Sequence, residues 1–244
     1  MLPDSIETIG LDQTKQVQFF NRKDKKYWFE IDLLPSILEA IADDYYVLMV
    51  HDKTILPYSN IYWDTQQLKC YHTHHNGFYS RYKVRKRMYC ASEECFLEIK
   101  QKNNKRKTQK QRNITETFDN LTADDVNYIG LNTPMANEEF QPTLGNFFKR
   151  FTLINKQFNE RCTIDIDLQF HNKESKKEFN RVVIVEIKYD GKLTHSVLAQ
   201  QLHQHHIRPN GFSKYCIGMA LLHPELKQNR WKEKIRQIKK IEQL

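Results

Sequence analysis

RYKVRKRMY, from Arg81 to Tyr89, carries a cation at every second position. Alternate side chains of a strand share a face. Arg81, Lys83, Arg85 and Arg87 therefore point one way, and Tyr82, Val84, Lys86 and Met88 the other. Like charges about 7 Å apart repel by roughly 2 kcal/mol per neighbouring pair at an effective dielectric of about 20. Salt relieves this on an open surface. Inside an enclosure, only carboxylates or a polyanion relieve it.

The flanking sequence repeats the arrangement. Phe96, Glu98, Lys100 and Lys102 share one face of the next strand, with Leu97 and Ile99 on the other. Lys110 and Arg112 form a further pair at period two. Downstream, Arg161, Thr163, Asp165 and Asp167 oppose Cys162, Ile164, Ile166 and Leu168. Ile184, Glu186 and Lys188 oppose Val183, Val185 and Ile187. A solvated outer face over a sandwich core accounts for one such strand. Several in a row, with unmixed cations on one of them, fit better around a lumen, with helices outside covering the apolar faces. Such a lumen suits a highly charged anion, and the planar fork of Arg suits phosphate.

The remaining elements follow from local pattern. Val17–Ile31, Tyr45–Val50 and Tyr58–Trp63 read as strands. Asp32 precedes Leu33, Leu34, Ile37, Leu38 and Ile41 at helical spacing, with Pro35 in the first turn. Asn76-Gly77, between Cys70–His74 and Phe78–Tyr89, reads as a hairpin turn. Leu144–Ile154 reads as an amphipathic helix, and Thr194–Ile207, Lys214–Leu222 and Pro224–Leu244 read as helices. Consecutive strands on short turns predict an α+β fold built on an antiparallel sheet or barrel with peripheral helices.

The 244 residues hold 38 Lys and Arg against 30 Asp and Glu, a formal +8 that favours anionic partners. Seven Gly and seven Pro exclude a collagenous or linker-dominated chain. No apolar run approaches the roughly 18 residues of a membrane span, and MLPDSIETIG lacks the pattern of a secretory signal. Cys70, Cys90, Cys95, Cys162 and Cys216 are odd in number and form no C-x-x-C pair, which predicts reduced thiols and a cytoplasmic protein. His72, His74 and His75, and again His203, His205 and His206, cluster without Cys or carboxylate at zinc-site spacing.

The motifs, in order, resemble the vacuolar transporter chaperone (VTC) domain, the polyphosphate polymerase domain. They are R-x-x-x-K-Y (Arg22, Lys26, Tyr27), Tyr62-Trp63-Asp64-Thr65 and Y-x-x-H-x-N-G (Tyr71 to Gly77). Arg81 to Tyr89, F-L-E-I-K (Phe96 to Lys100) and K-x-R (Lys110, Arg112) continue the series. R-C-T-I-D (Arg161 to Asp165), V-E-I-K (Val185 to Lys188) and F-S-K (Phe212 to Lys214) complete it. The resemblance implies a triphosphate tunnel: an eight-stranded antiparallel β-barrel, with peripheral helices, whose basic lumen binds triphosphate or polyphosphate. It implies one tunnel domain over residues 1–244, with 1–15 as a tail or edge segment and 113–142 as an insertion.

By the same resemblance, Lys26, Arg85, Arg87, Lys100 and Lys214 are catalytic. Arg22, Arg81, Lys83, Lys110, Arg112, Arg161, Lys188 and Ser213 bind substrate phosphates. Glu186 binds Mn²⁺ or Mg²⁺, with Glu98 a second candidate. The implied activity is transfer of the terminal phosphate of ATP onto a polyphosphate chain, with no nucleic acid involved and any membrane link made through a partner membrane protein. The paired glutamates (E-x-E-x-K) of hydrolytic tunnel enzymes are absent; Asp24 and Lys26 stand on the first strand instead. A metal-dependent triphosphatase and a non-catalytic polyphosphate- or nucleotide-binding module remain open alternatives. So does a nucleic-acid platform on Tyr82 and Tyr89.

Overall fold

A computed structural model describes residues 2–17, 23–105 and 108–243. In chain order the elements are β1 (Thr8–Gly10), β2 (Lys23–Glu30), α1 (Leu34–Glu39), β3 (Tyr45–Met49), β4 (Leu56–Thr65) and α2 (Lys69–His75). Then come β5 (Arg81–Tyr89), β6 (Glu94–Lys102), β7 (Thr108–Ile114), α3 (Ala123–Asn132), β8 (Phe140–Asn155) and β9 (Glu160–His171). The chain ends with β10 (Lys176–Phe179), β11 (Val182–Tyr189), α4 (Val197–Gln204), α5 (Lys214–Leu222) and α6 (Lys232–Glu242).

Eight strands pair in the order β2-β11-β9-β8-β4-β5-β6-β7, and every neighbouring pair is antiparallel. β3 extends one end of β8 and pairs in parallel with β1, while β10 pairs with β9. The eight-stranded α+β architecture is as expected, but among the described residues the barrel is not hydrogen-bonded shut, because β2 and β7 do not pair. The composition of those edges explains the seam. β7 is TQKQRNI, exposed throughout, and β2 begins KDKK. Both edges carry cations that repel.

The two faces separate as the alternation requires. Outward residues of β2, β8, β9 and β11, among them Tyr27, Phe29, Phe151, Ile164 and Val185, are buried beneath α1 and α4 through Ile37, Leu38, Leu198 and Leu202. Outward Val84, Leu97 and Ile99 pack with Ile129 of α3. Lys86 is also outward, yet fully buried. It pairs with Asp125 of α3 at 2.6 Å and donates to Thr115 and Thr117, so its charge is compensated and α3 is tied to the wall.

One end of the lumen is filled. Trp28, Leu144, Phe148, Phe170 and Ile184 meet Phe212, Tyr215, Cys216 and Met219 of α5 and the turn before it. A Cβ on Gly218 would lie 2.6 Å from Leu144 and Phe170, so only glycine lets α5 lie this close to the sheet. The N-terminus of α5, at Ser213 and Lys214, faces the ionic remainder of the lumen.

Three expectations are corrected. Lys69–His75 is a helix, so Asn76-Gly77 is no hairpin turn. Asp64 caps that helix, accepting from the backbone N–H groups of Cys70 and Tyr71 at 2.9 Å, and Gly77, at φ +80°, ends it. Leu144–Ile154 lies in strand β8. Its apolar residues recur at helical spacing because both faces are buried, Leu144 and Phe148 toward the lumen and Phe151 and Leu153 outward. In β9 a bulge at Asp167, φ +52°, shifts the pairing against β8 and reverses the alternation, so Leu168 and Phe170 turn inward after Asp165.

Candidate functional site

The inward faces of all eight path strands, with the start of α5, enclose a cavity of about 210 Å³. Nine Lys and Arg line it against three carboxylates, Glu98, Asp165 and Glu186. Lys26, Lys83, Arg85, Arg87, Glu98, Lys100, Lys110, Glu186, Lys188, Ser213 and Lys214 come together here, as the sequence predicts. Arg81 lies outside this cavity, in a wider chamber of about 610 Å³ that shares Lys26, Lys83, Lys100 and Glu186 with it. Arg112 is not in the cavity: on β7 it is exposed, with its guanidinium over the Phe96 ring at 5.0 Å. Arg161 is on the inward face of β9 but beyond the lining, and Arg22 falls outside the described residues.

Each carboxylate organises cations. Glu98, 2% exposed, accepts Arg85 Nε at 2.8 Å and Nη2 at 2.5 Å on one oxygen, and Lys110 at 2.5 Å on the other. Asp165 accepts Arg150 Nε at 2.5 Å and Nη2 at 2.9 Å, and pairs with Lys214. Glu186 takes Lys26 at 2.9 Å and Lys188 at 3.5 Å. Burial alone would raise all three carboxyls, but the adjoining cations outweigh it and hold each below the usual carboxylate range.

The guanidiniums are thereby preorganised. Arg85 has five N–H donors. Glu98 takes two and the Tyr62 hydroxyl a third, at 3.3 Å, leaving two for a ligand. Arg87 donates Nε to Asn60 at 2.9 Å and keeps the rest. Tyr62 in turn stacks on Tyr215 with centroids 5.0 Å apart, and Tyr215 donates to the Asp64 carboxylate at 2.5 Å. The chain from Asp64 to Arg85 thus links the α2 cap to the cavity wall.

Arg150 and Asp165 are the residues sequence reasoning missed as site members. Reading β8 as a helix hid Arg150. A strand reading of FFKRF places Phe148 and Arg150 on one face, and the Arg150 guanidinium does lie 5.1 Å from the Phe148 ring centroid. Asp165 was visible only as one position in an alternation.

Among the described residues Lys83 has no carboxylate partner; its ammonium donates to Ser213 Oγ at 2.8 Å. Burial, with Lys100, Arg81 and Lys26 nearby, lowers its pKa to about 8. Between pH 8 and its ordinary 10.5 the unfolded chain holds more protons than the native one, so native stability rises with pH across that window. An anion bound at Lys83 reverses the shift. Triphosphate binding should therefore take up protons at pH 8.5 but not at pH 7, measured by calorimetry in buffers of different ionisation enthalpy. Lys83→Met should reduce the uptake, leaving the share of Lys214, whose pKa burial also lowers to about 8; an unchanged proton count in that variant contradicts the assignment.

Among the described residues, no group of three or more His, Cys, Asp or Glu is placed to hold a metal ion. The donor set does fit a hard divalent cation that arrives on phosphate oxygens and takes one or two protein carboxylates, as Mg²⁺ does. Glu186 is the suitable carboxylate, because Glu98 and Asp165 each already hold a guanidinium fork and a lysine, whereas Glu186 has two single lysine contacts. Glu98, the second candidate, is saturated. A separate cleft of about 610 Å³, lined by Ile61, Pro142, His171 and His223, gathers no comparable charge.

The model of the VTC domain matches residues 21–223. No curated protein matches the chain. Among solved structures, the chain is similar to a putative adenylyl cyclase from Hippeastrum described as having a dominant triphosphatase activity. The identity is 11%, covering 81% of this chain and 94% of that one, with a TM-score of 0.54. A putative adenylate cyclase from Vibrio parahaemolyticus is similar at 12% identity, 80% and 97% coverage, and a TM-score of 0.46. The RNA triphosphatase of S. pombe follows at 9% identity, 88% and 75% coverage, and a TM-score of 0.31. The first of these likenesses establishes the tunnel fold.

Proposed function

Since the chain belongs to the VTC domain family, we propose that it is a metal-dependent polyphosphate polymerase that transfers the terminal phosphate of ATP onto a phosphate chain. The observation that carries this reading is the composition of the cavity: nine cations, three carboxylates already engaged with them, and no nucleophile free to attack phosphorus. The Ser213 hydroxyl, the one hydroxyl at the mouth of α5, accepts from Lys83 and from the Cys216 N–H. This supports an acceptor that arrives with the substrate, a role a terminal phosphate oxygen can serve.

Phosphoryl transfer asks a protein mainly for position and charge neutralisation. Arg85, Arg87, Lys100 and Lys214 neutralise the bound phosphates, with Lys26 and Lys188 adding charge beside Glu186. Arg85 and Arg150 are fixed on one edge by carboxylates and present the other to the ligand, so little ordering entropy remains to be lost on binding. A divalent ion held by Glu186 and phosphate oxygens would supply Lewis-acid charge at the transferred group.

Incubation with ATP and Mn²⁺ or Mg²⁺, resolved on a gel, tests the reading. Chains far longer than triphosphate are expected. Short products alone would make the protein a triphosphatase, and tight binding without turnover a receptor.

A further inference from the structure

Among the described residues, Thr163 Oγ1 is the one hydroxyl oxygen that is buried without a hydrogen-bond partner. A buried hydroxyl left unpaired costs stability, so its surroundings are where a partner is to be sought. Thr163 stands on the inward face of β9. It is in register with Glu186 of β11 on one side and with Thr152 of β8 on the other. Lys26 of β2 opposes Glu186 from the far side. Lys26, Glu186, Thr163 and Thr152 thus form one row across four strands. Opposed residues of an antiparallel pair have Cβ atoms about 4.5–5.5 Å apart. A threonine hydroxyl can meet a glutamate carboxylate across that gap.

Two carboxylates lie near Thr163, and only one has room for it. Asp165, two residues along the same face, already accepts the Arg150 fork and Lys214 on its two oxygens. Glu186 holds Lys26 at 2.9 Å and Lys188 at 3.5 Å, two single contacts where a carboxylate has about four acceptor sites. Those lysines are also the contacts a divalent cation disturbs. Two ammonium groups and a metal ion on one carboxylate repel one another, and bound phosphate offers the lysines another acceptor. A buried carboxylate oxygen released by a lysine then needs a donor. The unspent donor beside it is the Thr163 hydroxyl. Thr163 is 3% exposed and is not among the residues lining the cavity, so it meets Glu186 at the wall and not the phosphates.

We propose that Thr163 is a positioning residue for Glu186: in the metal-loaded protein its hydroxyl donates to the Glu186 carboxylate in place of a lysine that turns to phosphate. The hydroxyl is unpaired in the metal-free wall because the lysines occupy Glu186 there. The proposal rests on the reading of Glu186 as the carboxylate that takes the metal.

The test measures the affinity of the full chain for a non-hydrolysable triphosphate with Mn²⁺ and again in chelator; the ratio of the two reports what the metal gains from the protein. Thr163→Val should lower that ratio about tenfold, the lower end of what a partner of a metal-holding side chain is worth. Thr163→Ser should keep it. In chelator the Tm of Thr163→Val should hold or rise, since valine removes an unsatisfied hydroxyl and little volume; a structural threonine would instead lower it. Thr163→Ala, which also lacks the hydroxyl, serves should valine crowd Thr152. Thr163→Val added to Glu186→Gln should have no further effect on the ratio, because the hydroxyl acts through that carboxylate. A full tenfold effect in the Glu186→Gln background would place the action of Thr163 elsewhere and overturn the proposal. So would an unchanged ratio in Thr163→Val while Glu186→Gln lowers it, which would leave the metal reading of Glu186 standing. If neither substitution moves the ratio, the metal reading itself falls and the proposal with it.

Discussion

Glu186→Gln should reduce Mn²⁺- or Mg²⁺-dependent turnover by about 100- to 1,000-fold, the several kcal/mol that a metal's charge supplies at a transferring phosphoryl group. The substitution is close to isosteric and removes one negative charge from a cavity that holds nine cations and three carboxylates. Metal-free binding of triphosphate should for that reason hold or tighten. A merely structural glutamate would instead weaken both, because Lys26 and Lys188 would lose their common partner. Two readouts therefore decide the point: turnover against metal concentration, and calorimetric triphosphate affinity in chelator. Full turnover in the variant would remove the metal from Glu186. Loss of metal-free binding in parallel would make Glu186 a brace for the two lysines.

That the cations of β5 look inward was legible from RYKVRKRMY, because period-two alternation is a backbone property and the charges on one face were unmixed. The same holds for Glu186 and Lys188 on β11, whose outward partners Val183, Val185 and Ile187 are fully buried. Legibility ended where alternation was broken or hidden. The bulge at Asp167 reverses the faces of β9, and nothing in DIDLQF announces it. β8 is buried on both faces, so its apolar spacing imitates a helix and conceals Arg150. Asn76-Gly77 supplies a left-handed glycine, as a hairpin would need, but here the same conformation stops a helix whose start is fixed by Asp64, from the preceding strand. Barrel closure was beyond local pattern altogether, since it depends on how the edge of β7 meets the edge of β2.

Arg85→Ala should unfold the protein more readily as well as weaken its grip on phosphate, and the two effects can be separated. Arg85 supplies two of the contacts on Glu98; without it the carboxylate stays buried with Lys110 alone. Breaking a buried pair from one side costs about 3–5 kcal/mol, and the remaining lysine keeps the loss at about the lower figure. At about 2–4 °C per kcal/mol for a chain of this size, the Tm should fall by about 6–12 °C. Glu98→Gln added to Arg85→Ala removes the stranded charge, so the double variant should regain most of that Tm. It should not regain triphosphate affinity, which stays lower by about 1.5–3 kcal/mol, the worth of a charge-assisted hydrogen bond. Acid sensitivity supplies an independent check. Glu98's depressed carboxyl contributes stability that is complete above its ordinary 4.5 and is lost as pH falls below it. Arg85→Ala should flatten that acid limb. A single variant with wild-type affinity would show that Arg85 only holds Glu98; one with wild-type Tm would show that Lys110 alone suffices for that carboxylate.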